Sequence, residues 1–255
     1  MLKKFLKLDR PELYDFKTVD RNKGSSESIH PIELFLRYKN GELKVKDCDK
    51  EAFFIYQTFG WQEDVDSIIR GEVMNSFWNP YKTMMKLSYP EKWRGQHPTL
   101  KDIPYILAHF HEFQEVHENH ELKKFATLTH TIGNFIVIPH WMNTGRSLPL
   151  RDYWDLTLKS LYDYFHLFDD EDDAWEKFIQ IFYLEPFVER KKFEPKIFDK
   201  LHFASNQGKD ELNLFLQKTN QRIEQRGKYM VNELYKSYES EKYNAQMKIL
   251  FSDEL

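Results

Sequence analysis

Phe135-Ile136-Val137-Ile138, closed by Pro139, is the one convincing β-strand that this chain spells out: β-branched, apolar and bounded by a breaker. Nearly everything else with a regular pattern is helical. His30-Pro31 opens a helix through Ile32, Leu34, Phe35 and Leu36 that Asn40-Gly41 stops. Apolar residues then recur at helical intervals from Lys50 to about Arg70 (Phe53, Phe54, Tyr56, Phe59, Val65, Ile68, Ile69) and again from Val73 to Leu87. A long proline-marked connection runs from Tyr89-Pro90 to Pro104, either a partner-facing loop or a domain seam. A histidine-rich helical segment, Tyr105 to Leu128, leads into the strand, and beyond it a turn at Asn143-Thr144-Gly145 precedes an amphipathic helix carrying Tyr153, Trp154, Leu158, Leu161, Tyr162 and Phe165. The acidic run Asp169 to Asp173 suits the N-terminus of a helix from Ala174 to Tyr183. A final helical pattern spans Lys209 to about Leu250, with Gly227 expected to break or kink it. The class expected is mainly α with a small β element, in a single predominantly helical domain over residues 1–255.

Charge and cysteine usage narrow the function. With 37 basic against 41 acidic side chains the net charge is −4, which argues against non-specific coating of nucleic acid, a process that needs a basic face. Aromatic residues make up 16% of the chain and glycines number only 9, so an aromatic core or a stacking surface is expected. Cys48 stands alone, as in a reducing compartment, and MLKKFLKLDRPEL breaks into charge before an apolar signal segment forms. No run is long enough to span a membrane, so the expectation is a soluble, cytoplasmic chain without a membrane partner.

The densest segment is Thr129 to Leu156, THTIGNFIVIPHWMNTGRSLPLRDYWDL. Asn134 enters the strand, Asn143 lies nine positions later, and Arg146 follows three beyond that. This pattern resembles the second half of the HNH, or ββα-metal, nuclease motif, and most closely the segment of GmrSD-type restriction proteins. Ile132-Gly133-Asn134-Phe135, the apolar strand and Met142-Asn143 carry the likeness. The resemblance implies a degenerate or active ββα unit within residues 109–165 and one divalent cation, Mg²⁺ or Mn²⁺, polarising a phosphate. It implies that Asn134 fixes the loop and orients a histidine base, that Asn143 faces the metal, and that Arg146 contacts phosphate. Spacing favours His120 or His117 for the base, with His120 also a metal ligand. Their surroundings, Glu115-Val116-His117-Glu118-Asn119-His120-Glu121-Leu122, read as a polar helix rather than a strand. A wider signature, Met74-Asn75-Ser76-Phe77-Trp78 with Leu128 to Asn134 and Asp152-Tyr153-Trp154-Asp155-Leu156, is similar to a family of uncharacterised Gram-positive bacterial proteins and implies a bacterial origin.

The same residues also have a purely structural reading. Gly133 would permit a tight approach to the strand, Asn134 and Asn143 would bond backbone groups at two turns, and His130 would be a hydrogen-bonded, partly buried ring. A separate metal site could use His117 and His120, three apart on a helix, with Glu121. Two functions follow. One is a non-catalytic helical scaffold or interaction protein that binds another protein or itself. The other is a metal-dependent nuclease or phosphodiesterase acting on DNA or RNA, with a place in phage defence by analogy.

Overall fold

The computed structural model describes residues 1–18, 29–61, 69–139, 154–168, 173–189, 192–196 and 208–252. A short helix α1 (Leu2–Phe5) and a 3-10 turn at Pro11–Leu13 begin the chain. In α2 (Pro31–Lys39) Pro31 stands at the first helical position, where no backbone donor is missed, and the Nδ1 of His30 accepts from the Ile32 N–H as N-cap. Asp47 caps α3 (Cys48–Thr58) by accepting from the N–H groups of Asp49 and Lys50. The strand β1 (Ile69–Val73) and α4 (Trp78–Ser88) follow, then α5 (Pro90–Trp93), α6 (Ile103–Ala108), α7 (Gln114–His117) and α8 (His120–Leu128). The strand β2 (Phe135–Pro139) leads to α9 (Trp154–Phe168), α10 (Ala174–Ile181) and α11 (Lys209–Ser252). The fold is mainly α with a small β element.

Three local expectations change. The helical spacing that runs to about Arg70 and resumes at Val73 gives way to a strand over Ile69–Val73, antiparallel to β2, with Val73 opposite Phe135 and Ile69 opposite Pro139. A buried strand leaves a row of backbone donors and acceptors that only a second strand can satisfy, and that need outweighs a helical apolar spacing. The segment Tyr105 to Leu128 is not one helix but three short ones with a 3-10 turn at Phe110–Phe113. Gly227 does not end the last helix: α11 runs unbroken for 44 residues, about 66 Å at 1.5 Å per residue.

The long helix organises the interior. Its Leu212, Phe215, Leu216 and Ile223 belong to a core cluster with Phe35, Phe77, Tyr81, Ile106 and Phe125 from α2, α4, α6 and α8 and the residue preceding α4. About two turns further on, Met230, Val231 and Leu234 join a second cluster with Phe5, Phe16, Tyr56, Trp61, Phe135 and Val137. Ile136 points the other way and packs in a third cluster with Met74, Leu158, Trp175 and Ile179. The alternation along β2 is the two-residue period of a strand covered on both faces. Among the described residues no helix is long and apolar enough to cross a membrane.

Candidate functional site

Asn134 closes the 3-10 turn Ile132–Asn134 that feeds β2, and its side chain is fully buried. Its Oδ1 accepts from the Asn75 backbone N–H at 3.0 Å and from Asn75 Nδ2 at 3.2 Å. Its Nδ2 donates to the Asn75 carbonyl at 2.9 Å and to the Thr129 carbonyl at 2.8 Å. A carboxamide offers two acceptor sites and two donors, and all four are filled. Together with the bond from Met74 N–H to the Asn134 carbonyl at 2.7 Å, the side chain prolongs the β1–β2 ladder past its last backbone pair. Asn134 ties the turn before β2 to Asn75 and Thr129, and no bonding capacity is left for a histidine base or a metal-bound water.

Next to it, Gly133 lets two backbones touch. A Cβ placed there would lie 2.0 Å from the Ile223 carbonyl oxygen and 2.9 Å from the Gly227 nitrogen, both on α11. One residue before Gly227, Arg226 is fully buried and aims its guanidinium at the same turn. Nη1 donates to the carbonyls of Gly133 at 2.8 Å and Phe135 at 2.6 Å, while Nε and Nη2 donate to the Phe182 carbonyl at 3.1 and 2.9 Å. Burial pulls the guanidinium pKa below its ordinary value, and the nearby Tyr56, Glu185 and Tyr183 act against that shift. With its N–H groups turned to carbonyl acceptors, Arg226 stays charged and clamps α11 to the start of β2 and the end of α10.

The histidines are scattered among different partners. His117, at the end of α7, is buried with its ring stacked on Phe110 at 3.8 Å between centroids and parallel to Tyr81 at 6.0 Å. Its Nδ1 lies 2.9 Å from the Phe110 carbonyl, which can only accept, so Nδ1 carries the proton. Nε2 is then the acceptor for the Tyr81 hydroxyl at 3.0 Å. Burial pushes the His117 pKa down to about 4, so the ring is neutral at physiological pH. His30 sits 6.5 Å away between ring centroids, with Nε2 3.8 Å from a Glu118 carboxylate oxygen. Desolvation also lowers its pKa, against the pull of Glu118. His120 is exposed at the start of α8, with Nδ1 3.1 Å from Glu121 Oε1. His130 is buried edge-on to Tyr38, its Nε2 3.5 Å from the tyrosine hydroxyl.

Of the residues singled out from the sequence, the described ones (His117, His120 and Asn134) do not share hydrogen-bond partners. His117 spends both ring nitrogens inside the core, and His120 faces solvent. The strand paired with β2, Ile-Arg-Gly-Glu-Val, contains no histidine. Asn143 and Arg146 lie outside the described residues. Among the described residues no three His, Cys, Asp or Glu side chains gather in a way that could hold a metal ion, which also leaves His117, His120 and Glu121 without a shared site. Two important residues escaped the sequence reading. Asn75 stood in the Met74–Trp78 signature with no partner assigned. Arg226 had a visible signal, a charge at a position in step with Ile223 and Met230 on the apolar face of a helix.

The described surface also contains an open cleft of about 260 Å³, lined by Met1, Lys4, Phe5, Leu8, Tyr14, Phe16, Glu51 and Phe54. Phe5 is its centrepiece, in ring contact with Tyr14 at 5.9 Å, Phe16 at 5.7 Å and Phe54 at 5.7 Å. Tyr14 meets Phe16 edge-on at 4.8 Å. Met1 and Leu8 remain exposed beside these rings. Of the two charged side chains in the lining, Glu51 is held by Lys46 at 2.9 Å, whereas Lys4 has no acceptor among the described residues. No protein-family model, curated protein or solved structure matches this chain.

Proposed function

We propose that this protein is a non-catalytic helical protein that works by binding, and that its HNH-like segment serves as an internal brace. The supporting observation is the use to which Asn134 is put: four hydrogen bonds inside a fully buried turn, to Asn75 and Thr129. A residue that orients a base in a hydrolytic site needs bonding capacity directed toward that base, and this carboxamide has none to spare. The aromatic cleft beside α1 is a described surface with the features of a ligand site, being concave, apolar and bordered by few charges.

The strand pairing supports the metal-dependent nuclease reading only in part. Strand β2 pairs with an antiparallel strand, and Leu158 of the helix after it shares a core cluster with Ile136, but the pairing strand is Ile69–Val73, five helices earlier in the chain, and so lies outside the 109–165 segment in which the resemblance implies a ββα unit. One assay separates the two. Supercoiled plasmid and single-stranded RNA are incubated with the protein in Mg²⁺ or Mn²⁺, beside the Asn143→Ala and His120→Ala variants. The binding reading expects no nicking that depends on either residue. Nicking by the parent chain that either variant abolishes would sink it.

A further inference from the structure

We propose that the cleft between α1, residues 14–16 and α3 is a binding site for a small aromatic carboxylate. This names a ligand class for the binding function proposed above and rests on that reading for its biological meaning. The physical case is separate. Four rings (Phe5, Tyr14, Phe16 and Phe54) pack on one another in edge-on and tilted contacts, so the walls hold each other in place instead of collapsing inward. Buried Phe5 and Phe16 form the floor, and half-buried Tyr14 and Phe54 form the sides. An engineered apolar cavity of about 150 Å³ holds one benzene ring. A cleft of about 260 Å³ therefore has room for two fused rings. Aromatic ligands present ring edges and faces to these walls in the geometry the walls already use among themselves.

Charge decides which end of such a ligand is tolerated. Glu51 is neutralised by its ion pair with Lys46. Lys4 contributes an exposed ammonium with no acceptor among the described residues. In the lining, Lys4 is thus the charge left over once Glu51 is paired with Lys46, and it stands over an apolar floor. A carboxylate gains a charge-assisted hydrogen bond there, and an ammonium of the same shape meets like charge. The occupant that complements both features is an aromatic anion.

Isothermal titration calorimetry with naphthalene-2-carboxylate tests the assignment, with 2-naphthamide and 2-naphthylmethylammonium as neutral and cationic partners of similar shape. The expected result is saturable binding of one carboxylate per chain, with the ammonium weaker by about tenfold or more. Lys4→Glu should remove the advantage of the carboxylate over the amide, and Leu8→Trp, which fills the mouth from an exposed position, should weaken all three probes. Circular dichroism of each variant establishes that it is folded. Absence of saturable binding, equal affinity for the carboxylate and the ammonium, or indifference to Lys4→Glu would overturn the proposal. Divalent-metal-dependent nicking would overturn the non-catalytic reading and leave this ligand assignment standing, so the two failures can be told apart.

Discussion

Asn134 and His117 show how the same residue type can suit chemistry or architecture, and their hydrogen bonds decide between the two. For Asn134 the discriminating substitution is aspartate. A carboxylate would serve a divalent cation at least as well as an amide. In the buried turn, however, it cannot donate, and it would be pressed against the carbonyl oxygens of Asn75 and Thr129. Asn134→Asp should therefore cost about 3 kcal/mol or more of stability, as much as Asn134→Ala. Urea denaturation with and without Mn²⁺ checks this, and recovery of the Asp variant by Mn²⁺ would argue for a metal role. His117 carries a pH dependence. Its folded pKa, about 4, lies below the ordinary 6.5, so the unfolded chain binds more protons in between. The stability it supports is complete above 6.5, declines as the pH falls toward 4, and loses nothing further below that. The loss is at most about 3 kcal/mol. His117→Phe should flatten the fall in urea midpoint between about pH 7 and pH 4.5, although it starts from a lower stability because Tyr81 and the Phe110 carbonyl lose a partner. His30 and His97, shifted the same way, and the lowered carboxyls of Glu112, Glu115 and Glu118 contribute the slope that remains. An unchanged slope would mean that His117 does not carry this dependence.

At the scale of elements, the crossing of α11 over the turn before β2 rests on two glycines with unequal roles. At Gly133 a methyl group would collide with backbone atoms of α11, which cannot rotate aside. Gly133→Ala should cost more than about 3 kcal/mol or prevent folding. At Gly227 the added methyl would meet Glu12 Cβ and Gly133 Cα at 3.5 Å, an ordinary contact, inside a continuous helix. Gly227→Ala should then be neutral or stabilise by up to about 1 kcal/mol through helix propensity. Thermal melts of both variants test the pair, and a Gly227→Ala protein as damaged as Gly133→Ala would refute the account. From the sequence, Gly227 read as a helix breaker. An isolated glycine weakens a helix only modestly, and the packing of neighbouring turns on two cores readily offsets that.

At the scale of the whole molecule, α11 lines two core clusters, and Arg226 ties it to the turn of Gly133 and to the end of α10. Cores that share one helix should lose order together. Urea unfolding followed by tryptophan fluorescence and by far-ultraviolet circular dichroism should give coincident transitions, and separated midpoints would point to independent units. Arg226→Met removes the donors to three buried carbonyls while keeping most of the side-chain volume. It should lower both transitions by about 3 kcal/mol, as expected when a buried charge network is cut.

The N-cap of α2, the helical class and the strand at Phe135 to Ile138 were all legible in the sequence, because caps, proline and residue periodicity act over a few positions. The unusual density of the segment from Thr129 to Leu156 was legible too, since its first six residues alone hold a glycine, two threonines and an asparagine. Its meaning was decided elsewhere in the chain. Asn75, fifty-nine positions before Asn134, fills half of that carboxamide, and Arg226, ninety-three positions after Gly133, binds the carbonyls on either side of it. Hydrogen-bond capacity is finite, so whether an asparagine or histidine is free for chemistry depends on what the tertiary fold brings within about 3 Å of it. Sequence spacing places such groups along an element, and only packing shows whether their bonds are already taken.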